Sequence, residues 1–451
     1  MIGSIRVRTT IFFFIGLVST LITSTPTISD AATYYVAKTG NDSSSGTQAS
    51  PFRNIKHGVS KLVAGDTLYV KAGTYYESIL SWSTKIPNGT SWNNPVTVAV
   101  NPGDKVTIYP PGGQTFFWIK DGQAKYLIID GFTVDGNSQA KHGFKFSDNS
   151  RYIRVKNTEV KNATDSGILV SICSGCASPQ TAPHNTYHEF INMNIHHNGS
   201  TYFDHGLYIE TAHNIIEKSD IHHNVGFGVH IYRSTINTAD NNTIRHNAAH
   251  HNNTSGKWGC GVLVSAGTGN QVYNNTAYEN FSGFCTTYRS SNALLYNNIA
   301  FANKHYGIYI SGLGNSQTTR AYNNTVYKNE GYGIYVGNNF KDATIGNNIV
   351  YQNSTEDIYL SPGDQSGTVL SHNLSTNPEF VNKEANDFRL QEGSPAIDNA
   401  SIINEITTDY DGVKRNIGTG PDIGAFEFPQ VATDNEPPAS PKSVILKLNE
   451  N

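Results

Sequence analysis

Two stretches, YNNIAFANKHYGIYIS (296–311) and YNNTVYKNEGYGIYVG (322–337), are the same pattern met twice, 26 residues apart. Working outward from them, the element ending in Asn returns seven times, in copies such as INMNIHHN, KSDIHHN, NNTAYEN, NNIAFAN, NNTVYKN and NNIVYQN. Aligned on the last residue, the copies fall at Asn198, Asn224, Asn252, Asn280, Asn303, Asn329 and Asn353. The steps are 26, 28, 28, 23, 26 and 24 residues. Behind most copies comes a glycine followed by alternating apolar residues: HGLYIE (205–210), FGVHIY (227–232), CGVLVS (260–265), SGFCTT (282–287), YGIYIS (306–311) and YGIYVG (332–337). Alternation at period two is strand periodicity.

A period in the twenties, built of short strands with Gly and Asn at the corners, describes a solenoid whose unit cannot bury its apolar face alone. Stacked coils supply the missing core. Parallel strands lie about 4.8 Å apart, so equivalent residues form columns, and an Asn column can hydrogen-bond to itself at every turn. The L-x-x-L-x-L spacing of leucine-rich repeats is absent. The pattern predicts an all-β chain, a right-handed parallel β-helix of about a dozen coils, with an N-terminal capping helix and a C-terminal extension.

Residues 1–31 read as a secretory signal peptide: Arg6 and Arg8, the apolar run Ile11 to Ile22, then Ser29-Asp30-Ala31. The run is shorter than the ~20 residues of a membrane span. The mature chain is therefore expected outside the cell, with no membrane association after cleavage. Residues 32–375 form the β-helix with its cap, 376–428 a C-terminal capping extension, and 429–451 a Pro-rich linker tail. Charged residues are 15% and the formal net charge is -4, which gives no basic field for nucleic acid. Attraction to an acidic substrate must be local.

Ile55, Val59, Leu62 and Val63 recur at helical spacing and predict a helix over Asn54 to Ala64, set to cover the open end of the core. Cys173 and Cys176 are expected to close a small disulfide loop, whereas Cys260 and Cys285, on neighbouring coils and three positions out of register, fit a second disulfide or two buried thiols equally. Asp409, Asp411 and Asp422 suggest a calcium loop or, more simply, a turn of solvated carboxylates.

The opening GNDSSSGTQASPFRNI…AGDTLYVKAGTYYESI, followed by GTSWNNPVTVAVNPGDKVTI and YLIIDGFTVDG, resembles that of secreted bacterial β-helix proteins of the pectate-lyase-like superfamily. That resemblance implies the fold over about 33–360 and the company of lyases, epimerases and glycosidases acting on polysaccharides. NPEFVNKEANDFRLQEGSPAIDNA resembles the segment that follows such β-helices, with Phe388, Leu390, Ile397 and Ile423 packing along or over the stack. DHGLYIE…NVGFGVHIYRS is loosely similar to mannuronan epimerase coils, without their Asp-Pro-His motif. The paired-Asp and Gly-His motifs of polygalacturonases and the calcium-binding Asp cluster of pectate lyases are not recognisable. No motif requires a cofactor; the resemblance makes calcium the candidate ion.

If the residue after each glycine points inward, the next points out. The outward column is then Lys145, Leu169, Tyr208, His230, Leu263, Cys285, Tyr309 and Tyr335, and a second, two residues on, is Ser171, Glu210, Tyr232, Ser265, Thr287 and Ser311. Tyr208, Glu210, His230 and Tyr232 should form a patch about 5 to 7 Å on a side. Asp204, His205, Arg233, Tyr288 and Arg289 surround it. Aromatic faces suit sugar rings and Arg suits a carboxylate. His230, Tyr208, Arg233 and Glu210 are the candidate catalytic residues, as proton-transfer group, partner, carboxylate clamp and orienting acid. Asp204, His205, Tyr232, Tyr288, Arg289 and Tyr309 are the candidate substrate contacts. His196-His197, His222-His223 and His250-His251 repeat on three coils and would hold a transition metal or serve as a turn ladder. The expected function is β-elimination on a uronic acid-containing polysaccharide by a monomer. The alternatives are a C5-epimerase, a glycoside hydrolase or a non-catalytic glycan-binding protein.

Overall fold

The computed structural model describes residues 31–120, 124–148, 150–172, 186–232, 239–253, 258–312 and 317–429. Residues 1–30, where a signal peptide is expected, Cys173, Cys176, Arg233 and the residues beyond Pro429 lie outside them. The described chain winds through three parallel sheets, visited in turn on each coil. The first sheet holds thirteen strands, from Thr33–Val36 to Val369–Ser371. The second holds eleven, from Gly73–Tyr75 to Ile349–Tyr351, and the third eleven, from Ile79–Leu80 to Ile358–Leu360.

Registers run without slip along most of the stack, so the residue after each glycine meets its equivalents directly. Ile168, Leu207, Val229, Val262, Phe284, Ile308 and Ile334 form one continuous column, all buried. Such columns are the core, and each coil completes the burial of its neighbours.

The corners are fixed by amides. Along the Asn198 to Asn353 series each Nδ2 donates to the Oδ1 of the next coil, at 3.0, 3.0, 3.1, 3.2, 2.9 and 2.8 Å. Asp357 closes the series by accepting from Asn353 Nδ2. Two further ladders were not read from the sequence. Asn247, Asn275, Asn298, Asn324, Asn348 and Asn373 hold the corner between first and second sheets, and Asn214, Asn242 and Asn270 the corner between third and first. In mid-ladder, Asn252 also donates to Ile221 O and accepts the Asn224 backbone N–H. The glycine column follows from this packing: a Cβ on Gly228 would lie 2.5 Å from Gly261 O and 3.0 Å from Asn252 Nδ2.

The expected helix is shorter than its spacing suggested, Ile55–Val59. The Ser60 hydroxyl donates to His57 O, and the chain leaves the helix there, with Leu62 still buried but Val63 52% exposed. Behind the last coils, Phe380, Phe388, Leu390 and Ile423 cluster with Ile299, Tyr327 and Ile349, so the C-terminal extension packs along the side of the stack. Asn297, Asn323 and Asn347 donate to its carbonyls at Thr408, Asp422 and Ser401. Asp409 and Asp422 are not solvated: both are buried, and they accept backbone N–H groups from Val413, Glu427, Asp398 and Phe428. They act as internal turn caps beside the buried Arg415–Glu427 pair. The solvated-turn reading is therefore corrected for Asp409 and Asp422, while Asp411 is exposed.

Asn252→Ala removes an amide that four buried partners use, each costing about 1–3 kcal/mol when left unpaired. It should lower the urea midpoint far more than Asn353→Ala at the half-buried ladder end, and equal midpoints would contradict a stability role for the ladder. Acid should act through sealed imidazoles. Burial holds His188 and His205 down to about 3, while the unfolded chain titrates near 6.5. Their contribution is complete above about pH 6.5 and is lost as pH falls towards 3, because the unfolded chain binds the extra protons. Urea midpoints measured across that window should fall with pH, and less steeply in His188→Gln.

Candidate active site

The outward face of the third sheet carries the first predicted column in register, while the second meets a register shift after Val264. Tyr208, His230, Leu263, Cys285, Tyr309 and Tyr335 lie on successive strands. Outward does not mean exposed here. His230, Leu263 and Cys285 are buried under a small apolar roof of Phe227 and Cys260, against which Tyr309 packs. A Cys260–Cys285 disulfide pins that roof, with Cα atoms 6.2 Å apart. Three register positions of straight strand would separate them further, so the backbone must bend where the strand begins.

Hydrogen bonds fix the state of the two central imidazoles. His205 Nδ1 accepts the Phe227 N–H at 3.1 Å, so a neutral His205 carries its proton on Nε2 and donates it to His230 Nδ1 at 3.0 Å. His230 then holds its own proton on Nε2, 3.2 Å from Ser265 Oγ. Burial pushes the His230 pKa well below the ordinary imidazole value, with His205 adding to the shift. Both nitrogens are committed inside the protein, so His230 has no lone pair to offer a substrate. Its expected part as proton-transfer group is corrected to that of a buried positioning residue, and His205, 2% exposed, is not a substrate contact.

Asp204 is corrected as well. Its Oδ2 accepts from Ser200 N, Thr201 N and Thr201 Oγ1, which makes it the cap of its own turn. Glu210 accepts the Ile172 N–H at 3.3 Å and lies towards Lys145, while His230 is oriented by His205 and Ser265.

What remains together is an aromatic and cationic strip. The Tyr208 and Tyr232 rings stack on His230 at 5.2 and 5.1 Å, within 15° of parallel. Tyr288 lies 5.8 Å from Tyr232 and sits at the one irregularity of its strand pair, with φ +59, a left-handed conformation costly for a bulky side chain. The Arg289 guanidinium is 5.2 Å from the Tyr288 ring. Tyr309, packed against the apolar roof, also groups with Tyr306 and Tyr335. Arg233 is outside the described residues.

The strip continues in the other direction, where the sequence reading singled out no site residue. Trp118 pairs in register with Lys145, whose Nζ lies 4.3 Å from the indole centroid, and Lys120 Nζ lies 5.1 Å from the exposed Trp82. Burial lowers the Lys145 pKa, against the opposing pull of Asp165. QTFFWIK lacks the glycine that marks the later coils, so the repeat pattern does not point to Trp118. Calcium does not fit this face. It needs six to eight oxygens, whereas no three carboxylates among the described residues converge, and Asp165 and Glu210 are each bonded to a backbone N–H.

Comparison with known proteins agrees with this architecture. Residues 182–350 match a family described as the right-handed β-helix region. Pectate lyase Pel9A superposes with a TM-score of 0.56 at 19% identity, over 89% of this chain and 97% of that one. XylC, in its complex with xylose, gives 0.60 at 13% identity, over 87% and 98%. An uncharacterised protein of Bacillus subtilis (strain 168), YwoF, is 40% identical over 45 residues, and that match spans 10% of each chain. Three-sheet coils, the matched region and the shared architecture agree: the chain folds as a right-handed parallel β-helix.

Proposed function

We propose that this chain is a secreted carbohydrate-active enzyme, a lyase that cleaves an acidic, uronic acid-containing polysaccharide by β-elimination on the outward face of the third sheet. One observation carries the reading. Along that face cations are paired with aromatic rings, Lys120 with Trp82, Lys145 with Trp118 and Arg289 with Tyr288. Rings offer flat apolar area to sugars and cations meet carboxylates, so the alternation suits a chain of uronates better than a neutral glycan. That the fold is shared with a pectate lyase and with a xylose-bound protein supports a sugar ligand.

The chemistry follows from the substrate. Lys120 and its neighbours neutralise the uronate carboxylate, which acidifies the proton at C5. Lys145, whose ammonium is disfavoured by burial, takes that proton as a neutral amine. The electron pair forms the C4–C5 double bond, the C4–oxygen bond breaks, and the leaving oxygen is protonated from solvent. Tyr208, Tyr232, Tyr288 and Arg289 hold the chain further along the face. A group of tyrosines beyond them, Tyr306, Tyr309, Tyr332, Tyr335 and Tyr359, favours a second reading, a glycan-binding protein without catalysis.

A panel of polyuronates followed by ultraviolet absorbance separates the two, because elimination alone creates the unsaturated product. Lys145→Met should cost about 10²- to 10⁴-fold in rate, and Lys341→Met, in an exposed ion pair with Asp364, should cost nothing. Since the neutral amine is the active form, the rate should rise with pH, along a limb below the ordinary lysine range. Binding with neither an unsaturated product nor C5 inversion would establish the second reading, and inversion alone an epimerase.

A further inference from the structure

Three histidine pairs line a different part of the molecule, the edge where the second sheet turns into the corner. The first ring of each pair ends a strand, Asn194–His196, Asp220–His222 and Ala248–His250. The second occupies the left-handed corner position, with φ of +55, +52 and +52 at His197, His223 and His251. Within each pair the two Nδ1 atoms face each other at 2.7, 2.8 and 2.8 Å.

The Nε2 side decides what those facing atoms are. His196 Nε2 lies 3.0 Å from Glu159 Oε1, His222 Nε2 3.1 Å from Asn194 Oδ1, and His250 Nε2 2.9 Å from Asp220 Oδ1. Each oxygen can only accept, so each first ring holds a proton on Nε2 and its Nδ1 is bare when neutral. In the first two pairs the second ring can donate Nδ1–H into that lone pair. In the third, His251 Nε2 is also paired with a carboxylate, that of Glu279. Two neutral rings anchored in this way direct two lone pairs at each other across 2.8 Å, a contact that either a proton on His251, balanced by Glu279, or a metal cation between the rings satisfies. His223 stacks on His251 at 4.7 Å, and the ligand atoms of His223, His250 and His251 all lie within 4.8 Å of one another, the one such group of three among the described residues.

We propose that His250 and His251, through Nδ1, and His223 form a binding site for one divalent first-row transition ion, with zinc or copper the chemistry that three imidazoles favour over calcium or magnesium. Metal–nitrogen bonds of about 2.0–2.1 Å place neighbouring ligand atoms roughly 3 Å apart. The pair opens slightly and the exposed His223 ring swings in. Asp220 and Glu279 hold the rings from behind, the arrangement that fixes tautomer and orientation at histidine metal sites. Three protein ligands leave a fourth position for water.

The test uses the mature chain without a polyhistidine tag, stripped with chelator and titrated with zinc chloride by calorimetry, with cobalt(II) absorption as a second readout. One ion per chain is expected. His251→Gln should weaken binding by at least about tenfold and Asp220→Ala by roughly 10–100-fold. Glutamine is a safe replacement because Gln352 fills the same left-handed corner three coils after Glu279. His197→Gln, in the outermost pair, should leave the affinity unchanged. Absence of zinc binding by the wild type, an unaltered affinity in His251→Gln, or an equal loss in His197→Gln would each overturn the site.

Discussion

A buried primary amide has two hydrogens to donate and one oxygen to fill, and in this molecule stacking is how it does both. At each corner the asparagine Nδ2 reaches the Oδ1 of the next coil, while that same Oδ1 also takes a backbone N–H, as Asn280 does from Asn252. One column therefore satisfies its side chains and the backbone of the bend together, where an apolar residue would leave the corner N–H unpaired. The glycine column, the left-handed residue before each asparagine and the inward aliphatic columns are consequences. Coil length is less constrained than the corners: successive ladder residues are separated by as few as 23 and as many as 28 residues without interrupting the bonds. Extra chain leaves the stack between corners, which is also where a solenoid can vary its surface.

That constraint explains what could be read in advance. The Asn198 to Asn353 series and the glycine strands repeat in sequence as they do in space, so architecture and inward columns were legible. The corner between first and second sheets was harder to see because its asparagines come doubled, as in Asn297-Asn298. The first of these takes a left-handed φ and the second enters the ladder, yet in sequence the pair reads as a turn. The outward face was legible in register and not in depth. Alternation places His230, Leu263 and Cys285 outside the β-helix core, but it carries no record that Phe227 and Cys260, one corner earlier, fold over them. The state of His230 was equally hidden, since it depends on the Phe227 N–H acting through His205.

The same depth separates positioning from contact on the candidate catalytic face. A rigid floor of His205, His230 and the disulfide holds Tyr208 and Tyr232 parallel, which suits a surface that must present flat rings to a long substrate. The groups with ionic character lie at either end of this floor, Lys145 and Glu210 on one side and Arg289 on the other. Lys145 lies beside Trp118, and burial disfavours its charge. A group so placed has chemistry to offer beyond holding a carboxylate, and strained backbone at Tyr288 marks the opposite end as a position maintained against its local preference.

The histidine pairs show the converse, residues whose placement is structural and whose identity is not. The left-handed corner filled by His197, His223 and His251 is filled on later coils by Glu279, Ala302, Lys328 and Gln352. A carboxylate, a methyl, an ammonium and an amide all serve there, so the bend does not ask for imidazole. The strand end before it takes Tyr278, Phe301, Tyr327 and Tyr351 on those coils, and the stack of rings from His196 through His250 passes into Tyr278 and Phe301 without a break. Stacking therefore asks for an aromatic ring and not for nitrogen. Six imidazoles on three successive coils exceed what either position requires of the fold, and the excess is concentrated where Asp220 and Glu279 turn two ring nitrogens towards one point.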